Sequence, residues 1–380
     1  MEIIFQKKNK KFKKSTLVFT FCFIFIYFFI FPFPLQKELK IQINWVLNIV
    51  KTAEGKEADS EIAAGESSYA FSFGEEPGDY FGYFTKQGDL IFSKQIELKD
   101  NAPYRLTLSD QGFIYYPITY SDLILYNERG QEKKIYRHPG PGFAFLTQGG
   151  DRFFLIRTDL SGLKELDTAG KTLWSSSVPS WITTLSYTAE KVMCGLGDGA
   201  VYLFNKQGEV VSSFSFPKSK INCLYGSALC KQKPLFAGIA GAHPQYLFVG
   251  EIKEKERPTL LLIPLDSDFR REVRIRFSGN GDLLFFEGER SINIFDMDGK
   301  ELLSLPLLGN ITSFAYTDKN GLLAVASEQN NVHELLILKP KNSLYFKDYF
   351  NAQKLFLLLD GESLFIGIDN KIIRFDVLEE

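Results

Sequence analysis

An all-β chain of small antiparallel sheets set radially, behind one apolar N-terminal span, is the fold class these 380 residues predict. Three observations carry that expectation. Residues 16–35 are uncharged, a polar turn closed by glycine returns about every 40 residues, and no helical periodicity develops beyond residue 69.

The N-terminal end comes first. Lys7, Lys8, Lys10, Lys11, Lys13 and Lys14 face only Glu2 within residues 1–14, whereas the whole chain has a net charge of −2. The run TLVFTFCFIFIYFFIFPFPL follows, with eight phenylalanines. At about 1.5 Å per residue it spans about 30 Å as a helix, one bilayer core, and hydrocarbon obliges every amide to bond within its own segment. A transmembrane signal-anchor helix is therefore expected over residues 16–35, bent or ended at Pro32 and Pro34. A cleaved signal peptide is the competing reading. Phe33-Pro34-Leu35-Gln36-Lys37 offers no small-residue cleavage site, and Cys22 lies too deep in the run to be a lipoprotein acceptor. Lysines stay in the cytoplasm, so residues 1–15 are expected inside. The rest is then extracytoplasmic (periplasmic), in a single-pass protein of the cell membrane.

Residues 36–68 read as a juxtamembrane segment and flexible linker. In LQKELKIQINWVLNIV the apolar residues stand at loosely helical spacing, continuing the anchor helix or placing Trp45 at the membrane interface. AEGKEADSEIAAGESS is small and acidic, as tethers are.

Residues 69–380 alternate short apolar runs with Asp, Asn and Gly clusters. The recurring turn is an apolar residue, then Asn, Asp or Thr, two variable residues and Gly. It ends at Gly88, Gly130, Gly170, Gly208 and Gly299, with spacings of 42, 40, 38 and then 91 residues. Halving the last interval predicts a divergent turn near residue 254, and Leu338-Lys339-Pro340-Lys341-Asn342 is a further copy. The polar opener bonds back to the backbone, and glycine supplies the positive φ that closes a hairpin. Two more turns belong to each unit, for example Asp318-Lys319-Asn320-Gly321 and Asp198-Gly199, so each unit holds four strands. Such a sheet cannot bury both faces alone, and radial stacking makes a β-propeller. If a strand near residues 90–96 completes the blade begun by residues 353–377, the ring closes at seven blades; eight blades are the alternative.

The segment LKELDTAGKTLWSSSVP, residues 163–179, resembles one repeat of the quinoprotein-like (PQQ-type) and WD-repeat-like propeller superfamily. That resemblance implies a Trp after the turn glycine that docks on the next blade, and Trp174 matches. Other repeats place Tyr136, Phe214 or Leu305 there. One outer-membrane assembly accessory is an eight-bladed propeller of related repeats, so that role is an alternative here. It is a lipoprotein, which the missing lipidation cysteine weighs against.

Chemistry is sparse. Near-neutral charge argues against nucleic-acid binding. Three histidines and four cysteines make a metal cluster unsupported, and no cofactor or catalytic set is assigned. His138 and His243 occupy Pro/Gly loops, and His333 opens a strand. Gly195-Leu196-Gly197-Asp198-Gly199 reads as a hairpin rather than a phosphate loop, since a strand follows it. Asp296-Met297-Asp298-Gly299 reads as the repeat turn rather than a calcium loop. Cys223 and Cys230 are close enough in sequence to pair, though buried thiols are the preferred reading. Propeller topology gathers the turns between second and third strands, and the connections between blades, on one face. There Arg157, Asp159, Trp181, Asp198, His243, Glu289, Arg290 and Asn330, with residues 266–271, form the expected binding surface. The function expected is a non-catalytic, membrane-anchored scaffold with a protein partner. A small-ligand sensor or quinoprotein-like enzyme using the central channel is the alternative. Oligomeric state is left open.

Overall fold

The computed structural model describes residues 39–49, 56–57 and 67–379, except 75, 77, 100–101, 118–119, 121, 138, 148, 151, 168–169, 217–218, 254–257 and 341–342. Two compact units divide the chain, residues 1–40 with 379–380, and residues 41–378. Little of the first is described, only the end residues of two strands. The anchor expected at residues 16–35 lies outside the described residues, as does His138. No helix among the described residues is long and apolar enough to cross a membrane.

Every regular element among the described residues is a strand, and the strands form eight antiparallel sheets, the blades of a propeller. The fourth blade shows the plan: Ile182–Tyr187, Lys191–Leu196, Ala200–Asn205 and Val210–Ser215 pair in chain order. First strands of blades two and three, four and five, five and six, and seven and eight lie beside one another, toward the axis. Second strands are covered on both faces by neighbouring blades. Val192, Met193, Cys194 and Leu196 are accordingly all fully buried. The outermost strand meets water and alternates between exposed and covered residues.

The recurring turn works as its chemistry demands. Asn205 Oδ1 accepts from the backbone N–H groups of Gln207 and Glu209 at 3.0 and 2.9 Å. Gly208, at φ +78°, donates its N–H to Asn205 O at 3.0 Å. Asn127 and Asp296 accept backbone N–H groups in the same way, and a one-residue bulge follows the turn in each outer hairpin. The turn foreseen near residue 254 lies outside the described residues, but its flanks, Gln245–Glu251 and Leu260–Leu265, pair as required.

Ring closure corrects the seven-blade expectation. Leu90–Gln95 does not complete the last blade; it pairs with Tyr80–Thr85 inside the first. The same turn and bulge sit between these two strands, so they are the third and fourth of their blade and Ser68–Ser72 is the second. The last blade, Leu355–Asp360, Ser363–Ile368 and Lys371–Glu379, takes its fourth strand from Leu39–Asn48. A strand from upstream of the first blade thus finishes the eighth, which the two ends of the chain share. The segment read as juxtamembrane and linker is therefore partly sheet, and the propeller begins upstream of residue 69. Lys56–Glu57 adds a further two-residue strand outside Leu90–Gln95.

Packing between blades reuses one device. A side chain on the fourth strand of one blade covers the turn glycine of the next: Phe92 on Gly130, Tyr136 on Gly170, Trp174 on Gly208, Leu261 on Gly299. A Cβ at Gly208 would stand 2.3 Å from the Trp174 ring, so only glycine fits there. Trp45, on the borrowed strand, covers Gly88 in the same way. Cys223 and Cys230 are free thiols, as is the buried Cys194, whose pKa burial pushes up to about 12.

Candidate functional site

Seven of the eight residues expected on the binding face lie in second-to-third-strand turns or blade connections, and Arg157 ends the second strand Phe153–Arg157. They do not make one cluster. Three blade regions hold distinct groups.

The first group spans the third and fourth blades. Ile182 donates its N–H to Leu160 O at 2.8 Å, and Gly197 donates to Trp181 O at 2.9 Å, so three loops are tied at Trp181. The indole lies across Gly197, where a Cβ would stand 2.1 Å from Cε2. Trp181 is nevertheless 55% exposed. Beside it Arg157 pairs with Asp159 at 2.7 Å. Asp159 also accepts the Ser161 N–H at 3.0 Å, and that bond holds its carboxyl below the usual range. Asp198 accepts from Ala200 N–H at 3.0 Å.

The second group belongs to the fifth blade and contains its buried organiser, Gln245. Its amide donates to Gly241 O and Phe269 O, and its carbonyl accepts from Ser267 Oγ and Phe269 N. Four bonds from one buried side chain lock connection 266–271 onto the turn bearing His243. Asp268 Oδ2 then stands 3.0 Å and Arg270 Nη2 2.8 Å from His243 Nε2. Nε2 can accept from Arg270 or donate to Asp268 according to the tautomer.

In the sixth blade Arg271 grips the buried Glu287 through two hydrogen bonds of 2.6 and 3.2 Å, and the Glu287 bond raises the guanidinium pKa. Arg290, at φ +52°, turns the backbone so that its carbonyl accepts from Leu307 N–H. Asn330 is a turn residue at φ +55°. His333, by contrast, is buried, with Nε2 3.2 Å from Ala352 O.

Sequence reasoning missed Gln245, whose only signal is a polar residue opening a buried strand. It also missed the opposite end of the axis. There the inner strands and turns of blades four to seven border an open cavity of about 420 Å³, lined by Arg276, Lys231, Asp318, Tyr316, Phe277 and Leu229 among others. These belong to inner strands and to first-to-second-strand turns, which the loop-face argument passed over.

Comparisons with known proteins agree with this architecture. An uncharacterised protein of Treponema pallidum (strain Nichols) is 22% identical over 300 residues, covering 79% of this chain and 77% of that one. Among solved structures, BamB from Moraxella catarrhalis superposes with a TM-score of 0.57 at 12% identity, over 89% of this chain and all of that one. That is a likeness of fold. A beta-propeller protein family matches residues 5–380, and to that family this chain belongs.

Proposed function

We propose that this protein is a non-catalytic propeller that presents its loop face to a protein partner in the cell envelope, held near the membrane by residues 16–35. Trp181 is the observation that carries the reading. A large aromatic ring, half in water, is fixed by a glycine that nothing else could replace and by backbone bonds to the turns on either side. Rigid exposed Trp with neighbouring Arg is the composition of interface hot spots, because little side-chain entropy is lost on binding. The polar groups around it are mutually paired, which suits a rim better than a catalytic set.

A photo-crosslinking side chain at position 181 tests this, with one at Leu173, exposed on an outer strand, as control. The expectation is a discrete adduct from 181 alone, lost when Arg157→Ala is added. Equal adducts from both positions would remove Trp181 from the interface. Protease access to residues 69–380 in intact and permeabilised cells tests the topology.

The eight-bladed ring favours a second reading, the outer-membrane assembly accessory that the sequence resemblance raised. Co-purification with outer-membrane assembly components, and its loss in Trp181→Ala, would separate that role from other envelope partners.

A further inference from the structure

The two ends of the propeller axis differ in how their charges are satisfied. On the loop face Arg157, Arg270 and Arg271 each have a carboxylate within 4 Å. At the other end the side chains of Arg276 and Lys231 line the cavity of about 420 Å³ and make no hydrogen bond or close ion pair with any described residue, Asp318 and Asp110 acting on them only at longer range. Arg276 projects from the short inner strand Ile275–Phe277, and Lys231 from the turn after Ile221–Leu229, so they approach the cavity from two blades. Asp318 is the only carboxylate among the described residues lining it, and it is already engaged: its Oδ1 accepts from Gly279 N–H at 3.0 Å. It also takes the hydrogen bond of Tyr316, whose pKa is pushed up to about 12 by burial and by that carboxylate. Desolvation pulls the Arg276 guanidinium down from its ordinary value, with Asp318 opposing. Arg276 and Lys231 are nevertheless both exposed to water. Lys231 also draws down the carboxyl of Asp110, which burial otherwise raises.

We propose that this cavity binds a small organic anion, a carboxylate or phosphate monoester on a flat apolar body, through Arg276 and Lys231. Two cations that face one cavity without a hydrogen-bonded carboxylate of their own are free to pair with an incoming anion. The guanidinium fork matches carboxylate or phosphate oxygens in pairs, and the lysine adds a point charge. Phe277, Leu229 and Tyr316 supply the apolar wall. The volume falls within the range of about 300–1,000 Å³ typical of small-molecule sites. This site is independent of the partner-binding reading, since it lies at the other end of the inner strands.

Calorimetric titration of the full chain with 4-nitrophenyl phosphate and 4-nitrobenzoate, with 4-nitrobenzyl alcohol as the uncharged control, tests it. Saturable one-to-one binding of at least one anion is expected, with the alcohol weaker. Arg276→Gln should weaken the anion about ten-fold or more, and Lys231→Gln by several-fold. Arg270→Gln, on the loop face, should leave it unchanged. A second measurement is needed should Arg276→Gln unfold. In the unsubstituted protein the bound anion should slow arginine-directed modification of Arg276, read by mass spectrometry, and not that of Arg270. Overturning results are no saturable anion binding up to about 10 mM, equal binding of the alcohol, or no protection of Arg276. Preference between the two anions distinguishes a phosphate from a carboxylate ligand.

Discussion

Trp174 covers Gly208 between the third and fourth blades, and Trp45 covers Gly88 between the eighth and the first. The rings play equivalent parts, but their N–H groups point to different anchors. Trp174 donates to Glu165 of its own blade at 2.7 Å, and Glu165 is held by two bonds from the buried Arg152. Trp45 donates across the seam, to Lys86 O at 3.0 Å, where Arg374 donates as well. Lys86 in turn pairs with Asp360, which also accepts from Tyr69. An ordinary fourth strand is tethered to its blade by a hairpin. The strand at the seam comes from the far end of the chain, so loop closure costs it more and contacts across the interface take over the hairpin's work. Interior interfaces are held by buried networks, and the seam by half-exposed ones.

That contrast can be broken most severely by removing the borrowed strand. A chain beginning at residue 50, compared with one beginning at 36, should melt lower by about 10 °C or more, and calorimetry would show it. Next is the interior network. Glu165→Ala strands Arg152 in a buried site and should cost about 3–5 kcal/mol in denaturant titration. The two tryptophans then compare directly. Trp45→Ala should cost about 2–3 kcal/mol, less than a fully buried ring. The Phe substitutions separate the N–H groups: Trp174→Phe, leaving a buried carboxylate short of a donor, should cost about 1–3 kcal/mol, and Trp45→Phe about 1. Equal costs for the Phe pair would erase the distinction.

Acid should act on the seam first. Hydrogen bonds from Lys86 and Tyr69 hold the Asp360 carboxyl below its usual range. Asp376 is also lowered: burial opposes, but bonds from Asn44 on the borrowed strand and from Arg374 prevail. A carboxylate with a depressed folded pKa stabilises fully above its unfolded value of about 3.9 and loses that contribution as pH falls through the folded value. Amide exchange in residues 41–48 should therefore accelerate below about pH 4 before that of residues 172–177. Smallest of all, Thr184 has a buried hydroxyl with no partner. Thr184→Val should be neutral or stabilising by up to about 1 kcal/mol.

The turns were legible because their chemistry is local: Asn205, two neighbours and Gly208 bond to one another with no help from distant residues. The borrowed strand was legible too, and misread. Ile41, Ile43, Trp45, Leu47 and Ile49 alternate as a strand should, but the neighbouring apolar run suggested a helix. Residues 39–48 become sheet because Lys371–Glu379 has an open edge, where Asn44 meets Asp376 across 332 residues of chain. On the loop face, the turns themselves could be read from local residues such as Asp198-Gly199, whereas Arg157 ends a strand and the pairing of His243 with Asp268 and Arg270 depends on Gln245 bridging two loops.

Sequence alone determined the repeat, its four strands and its turns, since each of these is set by residues within bonding reach along the chain. Blade number, the origin of the closing strand and the unpaired cations at one end of the axis were decided only in three dimensions. Whether an edge is open or a charge lacks a partner depends on what the rest of the ring brings beside it.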